Sequence, residues 1–443
     1  MSRRRAITLL SVGHACVDVY QGAVASLVPI FVAERAYGYA AVSGIVLAAS
    51  LLSSVAQPVF GLLTDRRPMP WILPVSTALG GLGIALSGLS GSYPLTLVFV
   101  AVSGVGVAAY HPESARVARL LSEGSHSAMG WFSVGGNLGF AAAPLMVTAV
   151  VSAGGLRMSP LLALPALVGS VLCLPVLRAL GALDTQDVTH HDTSRTAETS
   201  TSNTAATTAA TTAATTAGTD DKASFVRLSL SVILRSIEFV GLSTFIALYA
   251  QQRPGGSTAA GTLALFLLYL GGAVGSVVGG KLADHWDRVT VARWSYLLTI
   301  PALAGTVFVP GPAFHVFVAL TSVGLYVPFS LHVTLGQDYL PTRVGTAGGI
   351  TLGLTVSVGG LVTPLIGAIA DATSLRTALA PLIALPALSW LLFRGLPEPT
   401  APKFRRSHDG EQGSRAERRD ARACPRPCPG DGAATGMSRP ADP

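Results

Sequence analysis

The chain has 443 residues, 50% of them hydrophobic and only 12% charged, with a formal net charge of +7. That balance excludes an ordinary soluble globular protein. The positive charge is not read as nucleic-acid binding, because in so apolar a chain it is the position of Lys and Arg beside the spans that carries meaning.

A membrane-spanning helix needs roughly 20 mainly apolar residues. Twelve segments meet that length: 7–33, 41–63, 71–89, 94–120, 128–152, 158–180, 225–250, 259–283, 290–310, 313–337, 345–370 and 375–394. None shows the alternating pattern of an outer-membrane strand. The expected fold is an all-α membrane protein of twelve transmembrane helices. Arg3-Arg4-Arg5 and the apolar residues after them resemble a signal peptide, but Asp18 and Gln21 interrupt the run, so it reads as a retained first helix.

Within that first helix, His14, Asp18 and Gln21 share one face, since residues three and four apart are helix neighbours. An ionisable group in hydrocarbon normally faces a water-filled cavity or a partner. Asp18 near mid-membrane suits a proton carrier, with His14 and Gln21 beside it as candidate substrate contacts. The alternative is a packing cluster in which Asp18 only holds His14 or Arg235.

After helix 2, Gly61-x-x-x-Asp65-Arg66-Arg67 forms a short basic turn, echoed after helix 8 by Gly280-x-x-x-Asp284-x-x-x-Arg288. Glycine lets helix ends approach closely. The aspartate can cap a helix or pair with arginine, making a latch that opens as two halves rock; the alternative is a plain turn. In helix 4, His111-Pro112-Glu113-Ser-Ala-Arg116 joins a kinking proline to three ionisable groups. His111 and Glu113 are candidates for proton coupling, though Glu113 and Arg116 also have the spacing of a structural i,i+3 pair. Helix 5 carries Asn137 among Gly135, Gly136, Gly139 and Pro144, a pattern better suited to close packing and bending than to chemistry, with Asn137 a candidate substrate contact.

Residues 184–224 hold a Thr/Ala tract that can bury no core and reads as a disordered cytoplasmic linker. It separates an N-terminal bundle, 1–183, from a C-terminal bundle, 225–395. In helix 7, Arg235 needs a counter-charge that Glu238 can supply at i+3, and an anionic substrate can compete for the same guanidinium. Glu238 is also a candidate proton carrier. His332 in helix 10 is either a satisfied packing residue or a substrate contact. The tail, 396–443, is rich in Arg, Pro and Gly and reads as disordered. Cys424 and Cys428 there lack further metal ligands nearby, and Cys16 and Cys173 read as small packing residues inside spans. No metal and no cofactor is expected: no Walker-type loop, metal-ligand cluster or nucleophile arrangement is present, and Gly104-Val-Gly106 lies inside a span. An enzyme is not expected.

The ionisable residues deep in the spans therefore fall in helices 1, 4, 7 and 10, which points to one central polar pathway. Lys and Arg gather at one set of loops, including Arg3–Arg5, Arg66-Arg67, Arg116, Lys222, Arg288 and Arg343, against single arginines such as Arg35, Arg157, Arg253 and Arg376 opposite. Both termini and the linker are then cytoplasmic. The two halves also repeat. Gly61 and Gly280, Ser133-Val-Gly-Gly136 and Ser357-Val-Gly-Gly360, Asp18 and Glu238, and His111 and His332 are all about 220 residues apart. Six spans per repeat give both halves the same orientation, so they are parallel repeats with substrate expected between them near the midplane.

The runs HPESARVAR (111–119), SVGGNLGFAAAPL (133–145), QPVFGLLTDRRPMPW (57–71) and TLGQDYLPTRVGTAGGI (334–350), together with the helix 1 motif, resemble the fosmidomycin resistance protein branch of the major facilitator superfamily. The resemblance spans roughly residues 10 to 394. It implies a plasma (inner) membrane secondary transporter with alternating access, exporting a small molecule or drug in exchange for protons, with helices 1, 4, 7 and 10 around the cavity. Fosmidomycin, an anionic phosphonate, is one candidate cargo. A proton-linked nutrient importer shares every one of these features, and a transport-incompetent receptor or scaffold is the rival from another class. The expected partners are the small-molecule substrate, protons and the lipid bilayer, with a monomer as the default.

Overall fold

The computed structural model describes residues 3–122, 126–194 and 219–399. They form α1 (Arg3–Arg35), α2 (Tyr39–Arg66), α3 (Ile72–Leu89), α4 (Tyr93–Ser122), α5 (His126–Ser152) and α6 (Leu164–Ser194), the last entered through a 3-10 stretch, Gly155–Ala163. The second set is α7 (Lys222–Gln252), α8 (Thr258–Ala283), α9 (Arg288–Phe308), α10 (Ala313–Tyr339), α11 (Val344–Ala372) and α12. The last is composite: Leu375–Leu379, a 3-10 turn Ala380–Ile383, and Ala384–Arg394. Among the described residues, eleven helices are long and apolar enough to cross a membrane, and Ser357–Ala372 of α11 is a shorter apolar stretch.

Helices dominate because a backbone in hydrocarbon must satisfy its own polar groups. Outward-facing positions are large and apolar, such as Val55, Val59 and Leu62 on α2, Leu164, Leu167 and Val171 on α6, and Trp294 and Leu298 on α9. Lipid is as good a solvent for them as a core would be, so specificity falls to the small and polar residues between helices. Gly135 and Gly139 seat α5 on α1: a Cβ at either position would lie 2.2 Å from the Ser11 carbonyl oxygen or 2.3 Å from that of Ala15. At the matching place in the second half, a Cβ at Gly359 on α11 would lie 2.3 Å from the Ser236 carbonyl oxygen on α7.

The pairings repeat throughout. Contacts α1–α5, α2–α4, α3–α4 and α1–α6 recur as α7–α11, α8–α10, α9–α10 and α7–α12. Between the halves, α2 packs on α11 and α5 on α8, two contacts that a twofold axis along the helices exchanges. The architecture is two parallel-repeat bundles of six helices.

At the end of the molecule where α1 stops and α2 begins, hydrogen bonds tie the halves together. Asp371, near the end of α11, accepts the Tyr39 amide at 2.8 Å and the Ala40 amide at 2.9 Å, so it caps the start of α2 from the other half. Gln252 reaches the Tyr39 hydroxyl at 2.5 Å, and the Thr148 and Thr262 hydroxyls meet at 2.7 Å. This end is closed. Losing a side-chain cap costs about 0.5–2 kcal/mol, so Asp371→Ala is expected to open this end about tenfold more often. Spin labels at Ser152 and Thr258 should then show a longer distance population by pulsed electron resonance; an unchanged distribution would deny Asp371 a gating role.

Two expected boundaries move. α6 runs on to Ser194, into the tract read as linker, and α7 begins at Lys222; residues 195–218 lie outside the described residues. The tail expected from 396 is fixed at its start, where Glu398 pairs with Arg288 at 2.8 Å and the Pro397 carbonyl accepts the Tyr339 hydroxyl at 2.6 Å. Residues 400–443, with Cys424 and Cys428, lie outside the described residues.

Candidate functional site

Three groups of polar residues lie between the helices, and they are separate. The first is in the N-terminal half. His14 and Asp18 stand one turn apart on α1, with the His14 Nε2 3.2 Å from one Asp18 oxygen. From α4, the His111 Nε2 comes to 3.1 Å from the other oxygen. Asp18 and His14 are buried, and the His111 side chain is 24% exposed. Each Nδ1 is tied elsewhere: that of His14 lies 2.9 Å from the Phe132 carbonyl and that of His111 2.8 Å from the Val107 carbonyl. A carbonyl only accepts, so both Nδ1 atoms carry hydrogen and both Nε2 atoms face the carboxylate. The Phe132 ring stacks on His14 at 4.2 Å. Gly136 backs the cluster, where a Cβ would lie 2.5 Å from Asp18.

Asp18 thus holds His14, as the packing alternative had it, together with His111, and Arg235 is not its partner. Further along α4, Glu113 is fully buried and accepts from two Arg116 nitrogens, Nε at 3.0 Å and one Nη, in a two-point ion pair. The i,i+3 pair is formed.

The second group is in the C-terminal half, and it departs from expectation. Arg235 and Glu238 are buried on α7 but make no ion pair within 4.0 Å. The Arg235 guanidinium instead lies over the Phe329 ring, 4.9 Å from its centre, and donates to the Leu325 carbonyl at 3.2 Å. Aromatic faces on α10 attract the cation there. Both Glu238 oxygens and the Arg235 Nε lack hydrogen bonds. His332 has its Nε2 3.0 Å from the Tyr296 hydroxyl, which also takes a hydrogen bond from Ser231 at 3.1 Å. It is a satisfied residue inside its bundle.

The third group is a cavity of about 90 Å³ between the halves at the middle of the helices. Tyr20, Gln21, Ser50, Phe140, Phe239 and Tyr269 line it, with Ser53, Ser103 and Ser243. Of the residues expected to touch substrate, Gln21 is here. His14, Arg235 and His332 are not, and Asn137 sits half-buried on α5 away from it. The aromatic and hydroxyl lining is not legible in the sequence, because such residues in an apolar span usually serve packing. Its one signal in the sequence is the adjacency of Tyr20 and Gln21 to Asp18.

The turn motifs also differ from expectation. A Cβ at Gly61 or Gly280 would meet nothing within 4 Å, so neither glycine marks a close helix approach in this conformation. Arg288 binds Asp338 at 2.6 Å and Glu398 rather than Asp284, which is exposed at the end of α8. Arg66 is exposed, and the Asp65 side chain lies outside the described residues.

Among the described residues, twelve helices in two parallel repeats enclose buried ionisable groups and a polar cavity between the halves, the architecture of a membrane transporter. The sequence profile of the Major Facilitator Superfamily matches residues 10–364, and the chain belongs to that family. It is 28% identical to the fosmidomycin resistance protein of Escherichia coli (strain K12) over 391 residues, 86% of this chain and 90% of that one. It is also 28% identical to YfnC of Bacillus subtilis (strain 168), an uncharacterized MFS-type transporter, over 87% of this chain and 91% of that one. Among solved structures, an inward-facing, unoccupied bacterial homolog of the human lysosomal transporter Spinster superposes with a TM-score of 0.69 at 15% identity, covering 90% of this chain and 99% of that one. A point mutant of the nucleoside transporter NupG gives 0.67 at 11% identity, covering 89% and 100%. At those identities the likeness is one of fold.

Proposed function

We propose that this transporter exchanges protons for a small exported molecule by alternating access, acting as a monomer in the plasma (inner) membrane with both termini cytoplasmic. The observation that carries the reading is Asp18 held between two histidines, buried at the middle of α1. Buried ionisable groups in a membrane helix mark ion or substrate pathways, and a carboxylate between two imidazoles can pass protons without moving far. His111, the most accessible of the three, is the entry to the cluster. Glu238, buried without a hydrogen bond, is the second proton site. Glu113, engaged by Arg116, braces α4.

Cargo enters the cavity around Gln21, Phe140, Phe239 and Tyr269. Drug-sized ligands occupy sites of roughly 300–1,000 Å³, so the cavity must widen as the halves part. The bonds of Asp371, Thr148 and Gln252 are the ones that break when the closed end opens, and the concentration of Lys and Arg at the opposite end makes the closed end the outer one. Similarity to a fosmidomycin resistance protein supports a drug-like cargo, with fosmidomycin itself a candidate. Arg235, one turn along α7 from Phe239, is the cation available to an anionic group. Proton and cargo must favour different global states by a few kcal/mol for exchange to be coupled.

The test is substrate-dependent proton movement in proteoliposomes, with fosmidomycin and a panel of anionic and lipophilic drugs. Asp18→Asn is expected to abolish proton movement in a protein that still folds. Undiminished proton-coupled transport in that variant removes Asp18 from the pathway.

A further inference from the structure

We propose that His14, Asp18 and His111 form a binding site for a divalent transition-metal cation of the zinc type. The sequence gives no hint of it, since the ligands come from α1 and α4, far apart in the chain. In the fold, one ligand atom from each residue lies within 4.8 Å of the others. His14 Nε2 stands 3.2 Å from one Asp18 oxygen and His111 Nε2 3.1 Å from the other. Each separation is near the spacing of about 3.3 Å between neighbouring ligands of a tetrahedral ion with bonds near 2.0 Å, and the carboxylate can reach such an ion through either oxygen.

The surroundings fit as well as the ligands. Metal-binding histidines characteristically donate their second ring N–H to a carbonyl or carboxylate, which fixes the ring and aims the bare nitrogen at the ion. The Phe132 and Val107 carbonyls hold His14 and His111 in that way. The His14 Nε2 and the Asp18 oxygen that faces His111 are buried and engaged by nothing outside the cluster, so a cation among the three residues displaces no other protein donor. Gly136 has no side chain to push between them; a Cβ there would lie 2.8 Å from the His14 ring and 2.5 Å from Asp18. Two imidazoles and a carboxylate suit zinc, cobalt or nickel, whereas calcium and magnesium prefer oxygen alone. Three protein ligands leave a fourth position open, as in zinc sites that exchange a water or bind a further group. The partial exposure of His111 gives a way in.

This inference stands on the ligand geometry alone, and a bound ion would compete with protons for the same three side chains. The test uses the full chain carrying Cys424→Ser and Cys428→Ser, which removes the tail thiols, purified metal-free in detergent. Co²⁺ alone is the probe, followed by visible absorption. One equivalent per chain is expected to give the intense bands of a four-coordinate ion, and Zn²⁺ is expected to displace it. His111→Gln, at the most accessible ligand, and Asp18→Asn should each lose those bands and weaken binding more than tenfold, with folding checked by thermal unfolding. Absence of the bands in the parent protein overturns the proposal, as does a spectrum and affinity unchanged in a folded His111→Gln or Asp18→Asn variant.

Discussion

Gly139→Leu is expected to prevent stable folding, while Gly61→Ala is expected to be neutral or slightly stabilising. The two glycines have the same chemistry and opposite surroundings. At Gly139 an added Cβ would lie 2.3 Å from the Ala15 carbonyl oxygen and 2.9 Å from the Ala15 Cα, both backbone atoms of α1. Backbone cannot rotate aside, so α1 and α5 would have to separate along the largest helix contact of the first half. Overpacking typically costs about 1–3 kcal/mol where side chains can adjust, and a leucine against fixed backbone exceeds that range. At Gly61 nothing lies within 4 Å, and alanine gains up to about 1 kcal/mol over glycine in a helix. Thermal unfolding in detergent compares them directly. Equal loss at both positions would show that helix approach does not set stability here.

Arg116→Met is the second large effect, expected to destabilise by about 3 kcal/mol, the lower part of the range for breaking a buried ion pair. The cost arises from Glu113, which is fully buried and would lose both hydrogen bonds that its carboxyl group accepts from Arg116. The Arg116 side chain is 27% exposed, so its own loss contributes less. The double variant Glu113→Gln/Arg116→Met is expected to recover most of the deficit, because replacing both members of a buried pair is far cheaper than removing one. Unfolding temperatures of the two single variants and the double close the cycle. A double variant no better than the sum of the singles would make the pair incidental.

Much of the architecture is legible in the sequence because an apolar chain makes its exceptions conspicuous. The spans follow from length and hydropathy, and the repeat from Gly135 and Gly359, which each lie on the backbone of a facing helix. The residues that gather around Asp18 are visible as polar residues in apolar helices, but their grouping is not. A histidine at 111 meets the carboxylate at 18 only because α4 packs on α1. Its repeat partner His332 settles on Tyr296 instead, and Glu238 remains apart from Arg235 because aromatic rings on α10 compete for the guanidinium. Spacing along one helix predicts which groups can meet, not which of several partners wins. The cavity lining is least legible, since Phe140, Phe239 and Tyr269 have the same composition as core.

The bond between Asp371 and the start of α2 has an unequal division of responsibility. One side of it is a carboxylate, which a single substitution removes. The other side is a pair of main-chain amides at residues 39 and 40, which every residue except proline supplies. The side chain at position 40 can therefore vary widely with both bonds intact, whereas Ala40→Pro removes one of the two donors and leaves the Tyr39 amide. Of the hydrogen bonds that join the halves at this end among the described residues, the Asp371 cap alone rests on a side chain from one half and on the ordinary chemistry of the peptide bond in the other.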